Sequence, residues 1–217
     1  MHTMETKIIH VGDIEKDKQA ITAAAQMLIA GELVAMPTET VYGLAANGMD
    51  ELAVKRLYEA KQRPGYKAFS LQVADVSMVN DIAEQVPNMA WRLFEKFCPG
   101  PITIVLPKKN TVPRVVTGGK KTVGIRIPAN DIALAVLKAV GVPLAVPCAN
   151  ISAHPSPTSA QMVFDDMQGL IPLILDGGPC NLGIESTIVD CTGDEPIIIR
   201  QGAISEKKIL DCINNKD

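Results

Sequence analysis

Apolar residues recur at helical spacing through residues 15–30, where Ile21, Ala24, Ala25, Leu28 and Ile29 share one face and Gly31 supplies the stop. The short apolar run Leu33-Val34-Ala35-Met36 then reads as a buried strand closed by Pro37. The next helix is expected over residues 51–62, with Asp50 as its N-cap and Pro64 closing it within two residues. Beyond it, short β-branched or apolar runs predict strands at 69–73, 102–106, 122–127, 144–146, 172–175, 187–190 and 197–200. Amphipathic stretches predict helices at 75–85, 88–97, 130–140, 159–168 and 205–212, and Cys98-Pro99-Gly100-Pro101 forces a break before the strand that follows it. Helices and strands interleave with no repeat, low-complexity tract or long linker. The expectation is one α/β domain with a largely mixed sheet covered by helices.

Composition agrees with that picture and narrows the partners. The 217 residues are 47% hydrophobic and 21% charged, as in a globular protein with a sizeable core. A net charge of −3 gives no overall field that would draw in nucleic acid or an anionic membrane, so any anion site must come from a local concentration of Lys and Arg. The start, Met1-His2-Thr3-Met4-Glu5-Thr6-Lys7, has no apolar segment after a basic one, and no run reaches the ~18 apolar residues of a membrane span. Five irregularly spaced cysteines, Cys98, Cys148, Cys180, Cys191 and Cys212, suit reduced thiols and a cytoplasmic location. The three histidines, His2, His10 and His154, share no ligand spacing with them, so no metal site is expected.

Three constellations carry candidate chemistry. Pro37-Thr38-Glu39-Thr40-Val41-Tyr42-Gly43 crowds hydroxyls and a carboxylate at a strand end, and Lys61-Gln62-Arg63-Pro64 puts two cations where a helix must stop. On spacing alone such cations favour helix C-capping; against it, with Lys67 they would make a phosphate clamp. In the expected strand 122–127, alternation puts Val123, Ile125 and Ile127 on one face and Thr122, Gly124 and Arg126 on the other. An arginine there is either paired in the interior or exposed on an edge strand, and Arg200 presents the same choice. The third is Pro147-Cys148-Ala149-Asn150-Ile151-Ser152-Ala153-His154-Pro155-Ser156-Pro157-Thr158, a stiff loop rich in hydrogen-bonding groups. Cys148 and His154 have the composition of a thiol–imidazole dyad, but no orienting third group is evident. No P-loop or dinucleotide glycine fingerprint occurs, so a bound nucleotide must be held by side-chain cations and irregular loops.

Taken together, these blocks resemble the YrdC-like threonylcarbamoyl-AMP synthase family. The resemblance runs in order through residues 37–43, 61–64, 98–106, 123–128, 147–158 and 176–190, with Arg200-Gln201-Gly202-Ala203 as a tail signature. It implies an α+β type of α/β fold, a twisted mixed sheet flanked by helices around a basic concave cavity, as a single domain over 1–217 with its core at about 15–204. The implied activity is ATP-dependent joining of L-threonine and bicarbonate or CO2 into threonylcarbamoyl adenylate, with release of pyrophosphate, for N6-threonylcarbamoyladenosine in tRNA. Thr40, Gln72, Arg126, Val146 and Ser186 are implied as threonine contacts. Lys61, Arg63, Lys67, Thr122, Cys148, Asn150, Ser156 and Arg200 are implied as ATP contacts, with Lys61, Arg63 and Arg126 carrying the catalytic charge. Mg²⁺ is expected to accompany ATP, and the product to pass to the tRNA threonylcarbamoyl transferase, with weak tRNA binding as a further expectation.

Two positions depart from the family pattern. Cys148 stands where a serine is usual, and a thiol is the weaker hydrogen-bond partner; Gln72 stands where many members have a histidine, and cannot titrate. Two rivals remain open. A non-catalytic RNA-binding module is opposed by the acidic balance and the 4% aromatic content. A carbamoyl transferase of hydrogenase maturation would be a longer chain with zinc-binding cysteine motifs.

Overall fold

A computed structural model describes residues 4–214; His2 and the outer ends of the expected 1–217 span lie outside them. Among the described residues ten strands form one mixed sheet: β1 (Lys7–His10), β2 (Val34–Met36), β3 (Gly43–Asn47), β4 (Ser70–Gln72), β5 (Ile102–Pro107), β6 (Thr122–Arg126), β7 (Leu144–Ala145), β8 (Leu173–Asp176), β9 (Thr187–Asp190) and β10 (Ile197–Arg200). Their order is β1-β8-β2-β3-β7-β4-β6-β5-β9-β10. The helices are α1 (Lys18–Ile29), α2 (Glu51–Ala60), α3 (Val79–Ile82), α4 (Asn88–Phe97), α5 (Asp131–Val140), α6 (Ala160–Met167) and α7 (Glu206–Ile213). None is long and apolar enough to cross a membrane.

Caps fix most helix starts. Asp50 accepts from the amides of Leu52 and Ala53, Asn130 from Ala133, Ser159 from Met162 and Ser205 from Lys208. The end of α2 matters more for function. Gln62 takes a left-handed φ of 49°, its amide reaches Glu59 O at 3.0 Å, and that of Arg63 reaches Tyr58 O at 3.0 Å. This is a Schellman closure with glutamine at the position glycine usually fills, and it swings Arg63 off the helix axis.

Two expectations change. The helix expected over 75–85 is a 3-10 turn, Val76–Met78, followed by the single α-helical turn α3. Ala83 bridges Lys108 and the Glu84 amide donates to Pro107 O, so pairing with the end of β5 competes successfully with helix. Strands β1 and β3 were not foreseen. β3 is Gly-Leu-Ala-Ala-Asn, poor in β-formers, and is held by antiparallel pairing with β2 and β7.

The two faces of the sheet are covered differently. One carries Ala35, Leu44, Ala46, Leu71, Ile104, Val123, Ile125 and Val189, packed under α2, α4, α6 and α7. The other carries Val34, Met36, Ala45 and Leu144 under α1 and α5, which pack on each other. Farther along this second face no helix covers β4, β6, β5 and β9. Registers Gln72↔Arg126, Ser70↔Gly124 and Val105↔Gly124 place Ser70, Gln72, Gly124, Arg126, Thr103, Val105 and Ile188 there as a floor, roofed by loops. Gly124 is part of that floor for a spatial reason: a Cβ would stand 3.0 Å from Thr103 Cγ2 and 3.3 Å from Ser70 Cβ.

Leu57, on the buried face of α2, is fully enclosed. Leu57→Ala is expected to cost about 2–5 kcal/mol, read as a lower urea midpoint with an unchanged m-value.

Candidate functional site

The uncovered floor and its roof enclose a cavity of about 530 Å³, within the range of small-molecule sites. Most of the expected site residues converge on it: Thr40, Lys61, Arg63, Gln72, Arg126, Val146, Cys148, Asn150, Ser156, Ser186 and Arg200 all line it. Lys67 and Thr122 do not. Lys67 is exposed, and its carbonyl accepts from Arg63 Nε at 3.2 Å; Thr122 is half-buried at the start of β6.

At one end stands Arg126, only 7% exposed. Because β6 lies between β4 and β5, the edge-strand alternative for this arginine is ruled out and the buried charge requires a partner. Glu39 supplies it, with Oε1 2.9 Å from Arg126 Nη2 and both side chains under a tenth exposed. The same Nη2 donates to Thr40 Oγ1 at 2.9 Å. Thr38 Oγ1 donates to Val41 O at 2.7 Å, so the 2.8 Å contact between the two threonine hydroxyls runs from Thr40 to Thr38. With its proton committed, Thr40 offers the cavity only a lone pair. Gln72 Oε1 and Arg126 Nε are buried without a hydrogen-bond partner, as are both Glu39 oxygens, so the contact of Glu39 Oε1 with Arg126 Nη2 is an ion pair outside hydrogen-bond geometry. One end of the cavity thus offers a guanidinium beside two acceptors, a set suited to a carboxylate and an amine on adjacent atoms.

The other end is cationic, and its cations do not cap a helix. Lys61, at the C-cap of α2, sends Nζ across to Cys148 O at 2.6 Å and Asn150 O at 2.5 Å, pinning the 148–150 loop. Asn150 Nδ2 in turn holds His154 O at 2.6 Å. Burial, opposed in part by the neighbouring Cys148, pulls the Lys61 ammonium from its usual 10.5 down to about 8. Arg63 donates from Nη2 to Ala68 O at 3.1 Å and lies 5.1 Å over the Phe69 ring. Burial lowers its pKa as well.

Between the ends, Arg200 is committed to the segment before β9. It donates to Ser186 O from Nε and Nη2, to Ser186 Oγ from Nη2, and to Glu185 Oε2 from Nη1. Ser186 Oγ also meets Thr103 Oγ1 at 2.9 Å. Glu185 accepts further from Ser156 Oγ at 2.7 Å and Cys148 Sγ at 3.2 Å. Its pKa lies below the ordinary carboxylate value: burial pushes it up, but the Ser156 hydroxyl, the Arg200 charge and the Cys148 thiol together outweigh burial. The third group that the Cys148–His154 pairing lacked does exist, since Asp166 Oδ1 lies 2.6 Å from His154 Nδ1. The thiol nevertheless faces Glu185 in place of the imidazole, and burial followed by that carboxylate raises its pKa, so it is not an activated nucleophile.

Glu39, Glu185, Thr103 and Lys120 were not singled out from the sequence. Glu39 and Glu185 were visible as acids inside otherwise hydroxyl-rich motifs, and their neighbours to Arg126 and Arg200 are set by sheet order. Lys120 follows a turn whose Gly118 and Gly119 have positive φ, and its carbonyl accepts from Thr117 Oγ1 at 2.9 Å. Among the described residues, no group of three or more metal-ligating side chains gathers.

Glu39→Ala strands the buried guanidinium and is expected to cost about 3–5 kcal/mol in urea unfolding, clearly more than loss of the exposed partner in a surface pair. Lys61 gives a pH signature. Between pH 8 and 10.5 its folded form binds fewer protons than its unfolded form, so its contribution to stability rises with pH across that window. A polyphosphate beside it restores the charge. Calorimetry at pH 8–9 in buffers of different ionisation enthalpy should therefore show proton uptake on anion binding, absent in Lys61→Met.

Comparison with known proteins places this arrangement. The family model for Sua5/YciO/YrdC proteins, described as telomere recombination, matches residues 26–202. The threonylcarbamoyl-AMP synthase of Pyrococcus abyssi is 46% identical over 96% of this chain and 61% of its own length. That of Bacillus subtilis is 42% identical over 91% of the chain and 57% of its own length. The crystal structure of P. abyssi Sua5 complexed with L-threonine superposes with a TM-score of 0.92 at 46% identity, over 95% of this chain and 61% of that one. The chain thus spans about three-fifths of the length of these relatives.

Proposed function

The chain belongs to the Sua5/YciO/YrdC family, and on that footing we propose that it joins L-threonine, bicarbonate or CO2 and ATP into threonylcarbamoyl adenylate, releasing pyrophosphate. The observation that carries this reading is a single cavity with an amino-acid-like end at Thr40, Gln72 and Arg126, continuous with a cationic end at Lys61 and Arg63. The Arg126 guanidinium takes the threonine carboxylate, while Thr40 Oγ1 and Gln72 Oε1 accept from its amine. Ser186 and Val146 complete that end. At the other end Lys61 and Arg63 face the phosphates, with Cys148, Asn150, Ser156 and Arg200 around the nucleotide. Lys67 and Thr122 join as nucleotide contacts beyond the lined volume.

In this reading the amine attacks CO2 to give a carbamate and a proton. A carbamate oxygen then bonds to the α-phosphorus as the bond to pyrophosphate breaks. No protein nucleophile is needed, in keeping with a Cys148 thiol held protonated. The protein contributes alignment of the two substrates and neutralisation of charge on the departing pyrophosphate. Threonylcarbamoyl adenylate is an activated acyl phosphate, so its consumer is a tRNA threonylcarbamoyl transferase acting on N6 of adenine.

The test is pyrophosphate release from ATP, Mg²⁺ and bicarbonate with and without threonine. Release should require threonine. Arg63→Ala should lower the rate about 10²–10³-fold, the scale for losing one charge-stabilising donor. Arg126→Lys, which loses the fork, should raise the KM for threonine about tenfold and leave that for ATP nearly unchanged. Release that ignores threonine would sink the assignment.

A further inference from the structure

Glu185 is the one acidic side chain among the described residues that line the cavity; the charged residues around it are Lys61, Arg63, Lys120, Arg126 and Arg200. Three of the groups expected to contact ATP, Cys148 Sγ, Ser156 Oγ and Arg200 Nη1, all donate to its carboxylate. The donors keep it ionised, and they fix its position on the cavity wall between the two ends, near enough to Lys61 and Arg63 for its charge to act on both. Lys61, whose ammonium is occupied by backbone carbonyls, does not pair with it.

The electrostatic consequence depends on the form of the nucleotide. A metal-free triphosphate is a polyanion, and although Arg200 offsets part of the Glu185 charge, in a half-enclosed cavity the repulsion from a fixed carboxylate is less screened than in bulk water. The same triphosphate chelating a divalent cation turns a positive face outward. A single carboxylate with a neighbouring hydroxyl is the small donor set with which Mg²⁺ on a substrate phosphate is met, the rest of its sphere being phosphate oxygen and water. Glu185 with Ser156 provides that set.

We propose that Glu185 selects cation-complexed ATP over free ATP, its carboxylate repelling the bare triphosphate and facing the divalent cation when one is carried. The inference rests on the proposed use of ATP. It differs from a purely structural role, in which Glu185 braces Arg200, Ser156 and Cys148 and its loss weakens both forms of the nucleotide alike.

Calorimetric binding of ATP, and separately of pyrophosphate, in excess EDTA and in excess Mg²⁺ distinguishes the two. Wild type should bind the Mg²⁺ form at least about tenfold more tightly than the free form, a factor expected of one partly screened charge. Glu185→Gln keeps a hydrogen-bond acceptor for Ser156 and Cys148. It should tighten metal-free binding about tenfold and abolish most of the Mg²⁺ preference. Glu185→Asp, which retains the charge, should keep the preference, and Glu195→Gln, on an exposed loop, should leave both values at wild type. Unfolding midpoints establish that each variant is folded. A Glu185→Gln protein that weakens both forms equally, or that keeps the wild-type preference, overturns the proposal while nucleotide use stands. Failure of wild type to bind ATP in either condition overturns both.

Discussion

A guanidinium buried in the middle of a sheet is the constraint on which the rest of this site depends. Arg126 lies on a strand flanked on both sides, where water cannot solvate its charge, and an unpaired cation there would cost several kcal/mol. Satisfying it requires Glu39 and Thr40 to arrive from the turn between β2 and β3. That requirement explains the shape of the turn. Thr38 organises it by accepting from the amides of Thr40 and Val41 while donating to the Val41 carbonyl. The carbonyls of Glu39 and Thr40 then accept from the amides of Leu182 and Gly183, so the segment leading to Glu185 is tied to the same turn. One buried charge therefore links three separated stretches of chain.

Paired charges also divide the cavity. Glu39 pairs with Arg126 and Glu185 with Arg200, whereas Arg63 is solvated by carbonyls and a ring face, and Lys61 by carbonyls. Net positive potential is concentrated at the end where Lys61 and Arg63 stand, and the arginine end is close to neutral. An anion with several charges is drawn to the first and a zwitterion suits the second. Gly202 is a backbone condition for this layout: a Cβ there would lie 2.3 Å from Glu185 O and 2.4 Å from Ser186 C. Only the absence of a side chain lets the strand β10 exit pass so close behind the two residues that line the cavity.

Alternation alone put Gly124 and Arg126 on one face of a strand, and the structure has them on the cavity floor together. The cap at Asp50 was equally legible, because a cap is a local chemical device; Asn130, Ser159 and Ser205 opened their expected helices, and the structure makes them caps as well. The blocks that carry the family resemblance named most of the lining residues. What sequence could not supply was non-local. The Ala-rich β3 is a strand because two neighbours pair with it, and the stretch after Asp75 leaves helix because Pro107 offers a competing carbonyl. Lys67 stands outside the cavity and Lys120 inside it, although both are lysines in glycine-bearing turns; the difference lies in how the two turns stack, with Gly118 against the Tyr66 carbonyl. Spacing also favoured a cap over a clamp for Lys61 and Arg63. Their side chains leave the helix end uncapped, crossing to the 148–150 loop and to the carbonyls of Lys67 and Ala68.

The hydroxyl relay from Arg126 through Thr40 and Thr38 to the Val41 carbonyl has a direction, set at one end by a group that can only donate and at the other by one that can only accept. No rotation of either hydroxyl reverses it without breaking a buried bond. The site therefore has a polarity built into it before any ligand arrives. A molecule presenting an N–H at Thr40 completes the relay, while one presenting an oxygen lone pair meets another lone pair. Discrimination between an amine and a carbonyl or ether at that position is thus a property of the folded chain, decided two residues upstream where the Thr38 hydroxyl commits its proton to the Val41 carbonyl.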